Sequence, residues 1–338
     1  MASIIERIAT ELKVSNASVS RALNDRPGVS PELRERILQK ARDLKYTPSI
    51  TARGLVKKQS FGIGFFVLEK PGISMHTDPF YGEILHGVEQ ALASTDYHVT
   101  VATLTRDILA EPLEFRFVRE RRIDAMILAG PDIPADAIMA LLQSDVPLVL
   151  VDNQLSHSRV NCINTDDEGG AYLAARYLLD SGHRRIGALS GPEHWASNAR
   201  RVAGYRKALA EHDLSLPIIH MDRTTIESGE EAYRLLTKKH SDLTAICAVN
   251  DAMALGALRA AQQTGKNIPA DLSVVGFDDI PLASLNEPGL TTIRVPKRQM
   301  GAEAAQRVLA LLSNPELSPV EVRMSVELVQ RSSTRELR

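Results

Sequence analysis

From Phe61 onward the chain alternates short apolar runs with longer amphipathic stretches, and this rhythm constrains the fold more than any other feature. Runs such as Phe61-Gly62-Ile63-Gly64-Phe65-Phe66-Val67 are too short for helices and show no polar alternation, so they read as strands buried on both faces. Further strands are expected near 98–103, 125–129, 148–151, 185–189, 217–220, 245–249, 273–277 and 325–329. Helical periodicity is expected near 81–94, 111–121, 134–144, 167–182, 198–212, 228–239, 250–264 and 297–313. Strands that alternate with helices build parallel sheets covered on both faces. There are too many for one sheet of ordinary size, so two doubly wound α/β lobes are expected.

The first 60 residues have a different character. They hold 12 of the 40 Lys and Arg but only 6 of the 42 Asp and Glu, a net charge of +6 that leaves −8 on the remainder. A basic head on an acidic body suits binding to a polyanion, although an ordinary solvated surface would also carry such charge. Ile4, Ile5, Ile8 and Leu12 fall on one helical face behind Ser3 as cap. Ser15 caps a second short helix with Val19, Ala22 and Leu23 inward. A breaker-rich loop, Asn24-Asp25-Arg26-Pro27-Gly28, precedes a third helix opened by Ser30-Pro31. Two short helices joined by a tight turn and backed by a third describe an all-α helix-turn-helix unit.

Composition narrows the setting. Two cysteines, Cys162 and Cys247, supply neither a disulfide framework nor a metal cluster and read as small core residues. No apolar run approaches the roughly 20 residues of a membrane helix. The N-terminus lacks an apolar signal segment, and a cytoplasmic location is expected, where the triplet Asn16-Ala17-Ser18 is a chance glycosylation match. The first strand is not followed by a GxGxxG turn, Gly187-Ala188-Leu189-Ser190-Gly191 misplaces its serine for a nucleophile elbow, and neither a P-loop nor HExxH occurs, so an enzyme is not expected. No cofactor or metal is called for. A transport binding protein is also disfavoured, by the basic head and the missing export signal.

Three blocks of the head make the assignment specific. Val14-Ser15-Asn16-Ala17-Ser18-Val19-Ser20-Arg21-Ala22-Leu23-Asn24, Val29-Ser30-Pro31-Glu32-Leu33-Arg34 and Tyr46-Thr47-Pro48-Ser49-Ile50-Thr51-Ala52-Arg53-Gly54-Leu55 resemble, in order and spacing, the DNA-binding region of the lactose/galactose repressor (LacI-type) family. The turn departs from that family's frequent Ala-Gly, because Leu12-Lys13 stands there and Lys13 is expected to take a positive φ. The body resembles the same family's periplasmic-binding-protein-like core. The matching residues are Asp78-Pro79-Phe80-Tyr81, Val151-Asp152-Asn153, Asn164-Thr165-Asp166, Ser181-Gly182-His183-Arg184-Arg185-Ile186, Arg201-Val202-Ala203-Gly204-Tyr205, Asn250-Asp251, Val275-Gly276-Phe277-Asp278-Asp279 and Leu290-Thr291-Thr292-Ile293.

The resemblance implies a transcription regulator, a repressor, whose affinity for double-stranded operator DNA is set by a small-molecule effector between two lobes. It implies a helix-turn-helix head over 1–46, a hinge helix and linker over 47–59, and an effector-binding core over 60–338. Three crossings between lobes are expected near Cys162, Leu290 and Val320. They give a first lobe of about 60–162 and 291–320 and a second of about 163–290 and 321–338. A homodimer is expected, without the tetramer-forming coiled coil of some relatives.

Within the head, DNA contacts are assigned to Ser15, Asn16, Ala17, Ser18, Ser20, Arg21 and Asn24, and in the hinge to Ala52, Arg53 and Leu55. Asn16 can pair with adenine, Arg21 with guanine, and Ala17 can touch a thymine methyl. Ser15, Ser18 and Ser20 suit capping or phosphate contact, and a phosphate contact is the other reading of Arg21. Leu55 is implied as the minor-groove wedge, with linker packing as the alternative. In the body, ligands of open α/β sheets bind beyond the carboxyl ends of strands. Phe80, Tyr81, Asp152, Arg201, Asn250 and Asp278 fall there, and Trp195, the one tryptophan, lies in a polar loop where it suits a sugar ring or packs on the rim. Arg201 and Asp278 can equally form a structural ion pair, while His76 and Asp78 lie in the first cleft loop. A sugar is the expected effector; a purine or other non-sugar metabolite, as inducer or corepressor, is the alternative.

Overall fold

The computed structural model describes residues 3–24, 26–46, 59–69, 78–155 and 159–337. The hinge assignments Ala52, Arg53 and Leu55, and His76 of the first cleft loop, lie outside them. The chain divides into two compact units, Met1–Gly62 and Ile63–Arg338.

In the first unit three helices, α1 (Ile4–Leu12), α2 (Asn16–Leu23) and α3 (Pro31–Asp43), enclose a small core of Ile8, Ala9, Val19, Ala22, Ile37 and Ala41. Each helix opens on a serine whose hydroxyl accepts a backbone N–H of the first turn: Ser3 from Glu6, Ser15 from Ser18 and Ser30 from Leu33. Ser3 and Glu6 form a reciprocal capping box. Between α1 and α2 the chain turns at Lys13, which takes φ 52° as its position demands, and its N–H reaches the carbonyls of Ala9 and Thr10.

Among its described residues the second unit contains two sheets of six strands. The first orders as β11-β5-β4-β3-β1-β2, built from β1 (Gly62–Leu68), β2 (His98–Leu104), β3 (Ala125–Ala129), β4 (Leu148–Val151), β5 (Cys162–Thr165) and β11 (Glu321–Met324). The second orders as β12-β10-β9-β8-β6-β7, built from β6 (Ile186–Ser190), β7 (Ile218–His220), β8 (Ala245–Ala248), β9 (Ser273–Asp278), β10 (Thr291–Arg294) and β12 (Glu327–Val329). The central strands β3, β4, β6 and β8 are buried along their whole length, the mark of parallel sheets covered on both faces. Around the first sheet lie α4 (Pro79–Leu92), α5 (Arg106–Ala110), α6 (Arg116–Arg119) and α7 (Ala135–Leu141). The second carries α8 (Asp167–Asp180), α9 (Ala196–Ala210), α10 (Ile226–Lys239), α11 (Asp251–Gln263) and α12 (Pro281–Leu285). The last helix, α13 (Lys297–Ser313), returns to pack on α4, β3 and β4.

Pairing places the three crossings a few residues later than expected. Cys162–Thr165 pairs with β4 and β11 and stays in the first lobe, Thr291–Arg294 pairs with β9 and stays in the second, and Glu321–Met324 returns to the first. The chain therefore crosses after Thr165, Arg294 and Met324, a few residues beyond Cys162, Leu290 and Val320. The three strands at issue are four residues each and partly polar, so their affiliation depends on partners distant in sequence. The stretch 111–121 is not one helix. Pro112 opens a 3-10 turn, and Phe115 breaks it from α6 because both phenylalanine rings, Phe115 and Phe117, turn into the core against Phe66.

Helices pair closely where glycines meet. A methyl group on Gly301 of α13 would stand 1.9 Å from the Ile84 carbonyl oxygen, and one on Gly87 of α4 equally close to that of Arg298. Gly204, Gly229 and Gly256 play the same part between α8 and α9 and between α10 and α11. By contrast, Gly82 in α4 faces open space. Gly301→Ala is therefore expected to destabilise the second unit by about 1–3 kcal/mol through overpacking. Gly82→Ala should be neutral or stabilising by up to about 1 kcal/mol from helix propensity. Urea unfolding of the two variants checks the contrast; equal midpoints would mean that the α4–α13 contact yields freely.

Candidate functional site

Two sites emerge, one in each unit. In the first, α2 buries Val19 and Ala22 and leaves Asn16, Ala17 and Arg21 exposed on the opposite side. The other assigned residues are engaged in the helix itself. Ser15 caps it and its hydroxyl lies 2.9 Å from that of Ser18, while the Asn24 amide donates to the Ser20 carbonyl. Sequence reasoning missed Arg34 of α3. Its guanidinium donates to the carbonyls of Ala22 and Arg26, so it braces the exit of α2 and the loop beyond it. The face that remains offers an amide, a methyl and a guanidinium, the three groups suited to reading base edges.

In the second unit the strand ends of both sheets converge on a charged crevice. Asp78 caps α4 by accepting the N–H groups of Phe80 and Tyr81, with Pro79 in the first turn. This buries Tyr81, whose hydroxyl donates to Asp152 Oδ2 at 2.9 Å at the end of β4; Phe80 is half-buried, its ring 5.2 Å from that of Tyr81. On the second lobe Arg201 of α9 is buried. Its Nε donates to Asp167 Oδ1 at 2.9 Å and its Nη1 to Asp278 Oδ1 at 3.3 Å and to the Val249 carbonyl, and its plane lies 3.8 Å from the centre of the Phe277 ring. Lys297, at the start of α13 in the first lobe, gives its Nζ to the carbonyls of Asp278 and Asp279 in the second. Trp195 stands half-buried at the N-cap of α9.

Asn250 is committed locally, capping α11 through Met253 N–H and donating to the Thr224 carbonyl. Several other motif residues also prove to be braces. Asn153 donates to the Gly130 carbonyl and receives Asn164 on its own, tying β3, β4 and β5. Asp251 is buried where it accepts from the Thr292 hydroxyl and Ile280 N–H, and Asp279 holds Arg294 and Arg331. Asp167 and Lys297 are the crevice residues that sequence reasoning missed. The acidic pair Asp166-Asp167 at a helix start was the available signal for the first.

The backbone is strained where the chemistry sits. Asp152, Asp278 and Asp279 have φ of 53°, 111° and 51°. Electrostatics follow from burial. Desolvation, reinforced by Asp167, pushes the Asp152 carboxyl up to about 7 against the pull of Arg201 and the Tyr81 hydroxyl. Desolvation raises Asp278 to about 6 although Arg201 and Lys297 oppose it, and it lowers Lys297. Among the described residues, no three His, Cys, Asp or Glu are placed to hold a metal ion, and no helix is long and apolar enough to cross a membrane.

A reading head of this geometry, carried on the same chain as a two-lobed body with polar strand ends facing one another, defines a DNA-binding regulator with its own ligand sensor. Residues 4–49 match the bacterial regulatory proteins of the lacI family, and residues 175–334 match a periplasmic binding protein-like domain. The chain belongs to the LacI family. The HTH-type transcriptional repressor CytR of Escherichia coli (strain K12) is 32% identical over 338 residues, spanning 99% of this chain and 97% of that one. The lac repressor dimer bound to operator and the anti-inducer ONPF superposes with a TM-score of 0.81 at 28% identity, covering 97% and 98% of the two chains. A LacI family regulator from Enterococcus faecium with bound ribose gives 0.71 at 27% identity, over 82% of this chain and 100% of that one. The protein is an effector-controlled transcription repressor and not an enzyme.

The raised carboxyl of Asp152 makes a pH prediction. A folded-state value above the unfolded one stabilises the fold fully below about pH 4, and that contribution is lost as pH rises through about 7. Asp152→Asn keeps the left-handed backbone and removes the charge, so its melting temperature should match the wild type only near pH 4 and below, and exceed it by about 2–4 °C at pH 8. Parallel melting curves across that range would show that burial does not govern this group.

Proposed function

We propose that this repressor acts as a cytoplasmic homodimer, reads a near-palindromic operator through Asn16, Ala17 and Arg21 of α2, and binds a polyhydroxylated effector in the crevice beside Tyr81, Asp152, Arg201 and Asp278. The observation that carries the effector site is the buried Arg201–Asp278 pair at one lobe's strand ends, with the Tyr81–Asp152 pair at the other's. Carboxylates in such a place accept hydroxyl donors, and a buried polar network of this kind is costly unless it bonds something. Support for the dimer comes from the lac repressor structure, a dimer on operator, and support for a sugar from the relative with bound ribose. Phe80 and Trp195 would flank the ligand with apolar faces.

Effector control is linkage: a ligand that prefers one arrangement of the lobes must alter operator affinity, and operator must alter ligand affinity equally. Arg201 is a poor probe of this, because its removal leaves Asp167 and Asp278 buried without a counter-charge and destabilises the body itself. Milder changes serve better. Asp278→Asn and Tyr81→Phe are each expected to weaken effector binding by about 1–3 kcal/mol with operator affinity unchanged, measured by calorimetry and by operator shift on the same preparations. Unaltered effector affinity in both would move the pocket elsewhere.

The head is tested separately. Arg21→Ala should relax preference at one operator position by about 1–3 kcal/mol across an operator library. A uniform loss over all sequences would make Arg21 a phosphate contact.

A further inference from the structure

Resting on the reading of the crevice as the effector site, we infer that the effector is uncharged: a polyhydroxylated molecule carrying neither phosphate nor carboxylate. The carboxylates come from both lobes. Asp152 accepts the Tyr81 hydroxyl, and Asp132 sits at the same corner, since a methyl on Gly130 would lie 2.9 Å from Asp132 Oδ1 and 3.4 Å from the Tyr81 hydroxyl. Asp78 begins the helix that carries Tyr81, and Asp167 and Asp278 flank Arg201 on the second lobe. Four of them are near enough to one another to matter: Asp152 is raised by Asp167 and Asp278, and Asp278 by Asp167 and Asp78.

The cations do not answer this charge. Arg201 is committed to two carboxylates and the Val249 carbonyl, and Lys297 to two backbone carbonyls. Arg200 lies 3.9 Å from Asp167. Helix N-termini are common anion sites, but here Asp78, Asp166 and Asn250 already cap α4, α8 and α11, and only α9 of these four opens without a side-chain cap. An anionic group entering this crevice would meet several carboxylates, and the two cations nearest them, Arg201 and Lys297, are already hydrogen-bonded within the protein. Hydroxyl groups meet what they need, because Asp152 Oδ1 and Asp278 Oδ2 accept from no other described residue.

Trp195, the one tryptophan in the chain, provides the readout. The full chain is titrated by tryptophan fluorescence and calorimetry with matched compounds: ribose against ribose 5-phosphate, glucose against glucose 6-phosphate and glucuronate, adenosine against adenosine 5′-monophosphate. The neutral member of each binding pair should be tighter by about tenfold or more, and Asp152→Asn should narrow that gap. A charged member that binds as tightly, and loses affinity in Asp278→Asn, overturns the inference while leaving the crevice as the site. A ligand whose affinity is indifferent to both Asp278→Asn and Tyr81→Phe binds elsewhere, and overturns the reading of the crevice itself.

Discussion

One buried guanidinium organises the sensing body. Arg201 is 5% exposed, and stripping water from such a cation costs several kcal/mol that its partners must offset. They are drawn from three elements: Asp167 from the start of α8, Val249 just past β8, and from the end of β9 both Asp278 and the Phe277 ring beneath. Satisfying one cation thus fixes the ends of several elements at the crevice floor. The cluster of one Arg and two Asp is itself left with a net negative charge. Burial chiefly, with the charges of Asp167 and Asp278 adding to it against the pull of Arg201, is why Asp152 sits so far above an ordinary aspartate.

The second tie runs between lobes. Lys297 belongs to a helix packed on the first sheet, yet its ammonium is held by backbone carbonyls at the end of β9 in the second. Three chain crossings lie around it, after Thr165, Arg294 and Met324. A contact of this kind has different energies in different lobe arrangements, whereas contacts internal to one lobe do not. An effector can shift the population of arrangements only through such differential contacts, however tightly it binds.

The sequence made the architecture legible because its strongest signals are local. Fully apolar runs such as Ala125–Ala129 and Leu148–Val151 announce buried parallel strands, and serines at helix starts announce α1 to α3. Lys13 was readable as a left-handed turn because it stands where the resembled family often has Ala-Gly. Cys162–Thr165, Thr291–Arg294 and Glu321–Met324 were not readable as strands, since each is short and partly polar and becomes a strand only by pairing with residues far along the chain. The same limit governed the site. Arg201, Asp152 and Asp278 stood at recognisable strand ends or in motifs. Asp167 looked like an ordinary acidic helix start and Lys297 like an exposed first-turn lysine, because their partners are 34 and 19 residues away.

The residue type at the crevice strand ends answers two demands at once. At Asp152, Asp278 and Asp279 the chain leaves a strand with positive φ, a conformation that asparagine and aspartate tolerate better than other side chains. Under the proposed reading of the crevice, the carboxylates of Asp152 and Asp278 are also the acceptors that a hydroxylated ligand requires, so that backbone geometry and ligand chemistry would select the same residue. Asp278 at φ 111° lies well outside the ordinary left-handed well, and such strain costs about 1–3 kcal/mol. A hydrogen bond to a charged group is worth about the same, so the ties from Arg201 and Lys297 are of the size needed to hold it. One of those ties lies within the second lobe and the other reaches across from the first. A ligand that competes for Asp278 therefore acts on a strained strand end gripped from both sides, and a local change of hydrogen bonding there becomes a change in how the two lobes hold each other.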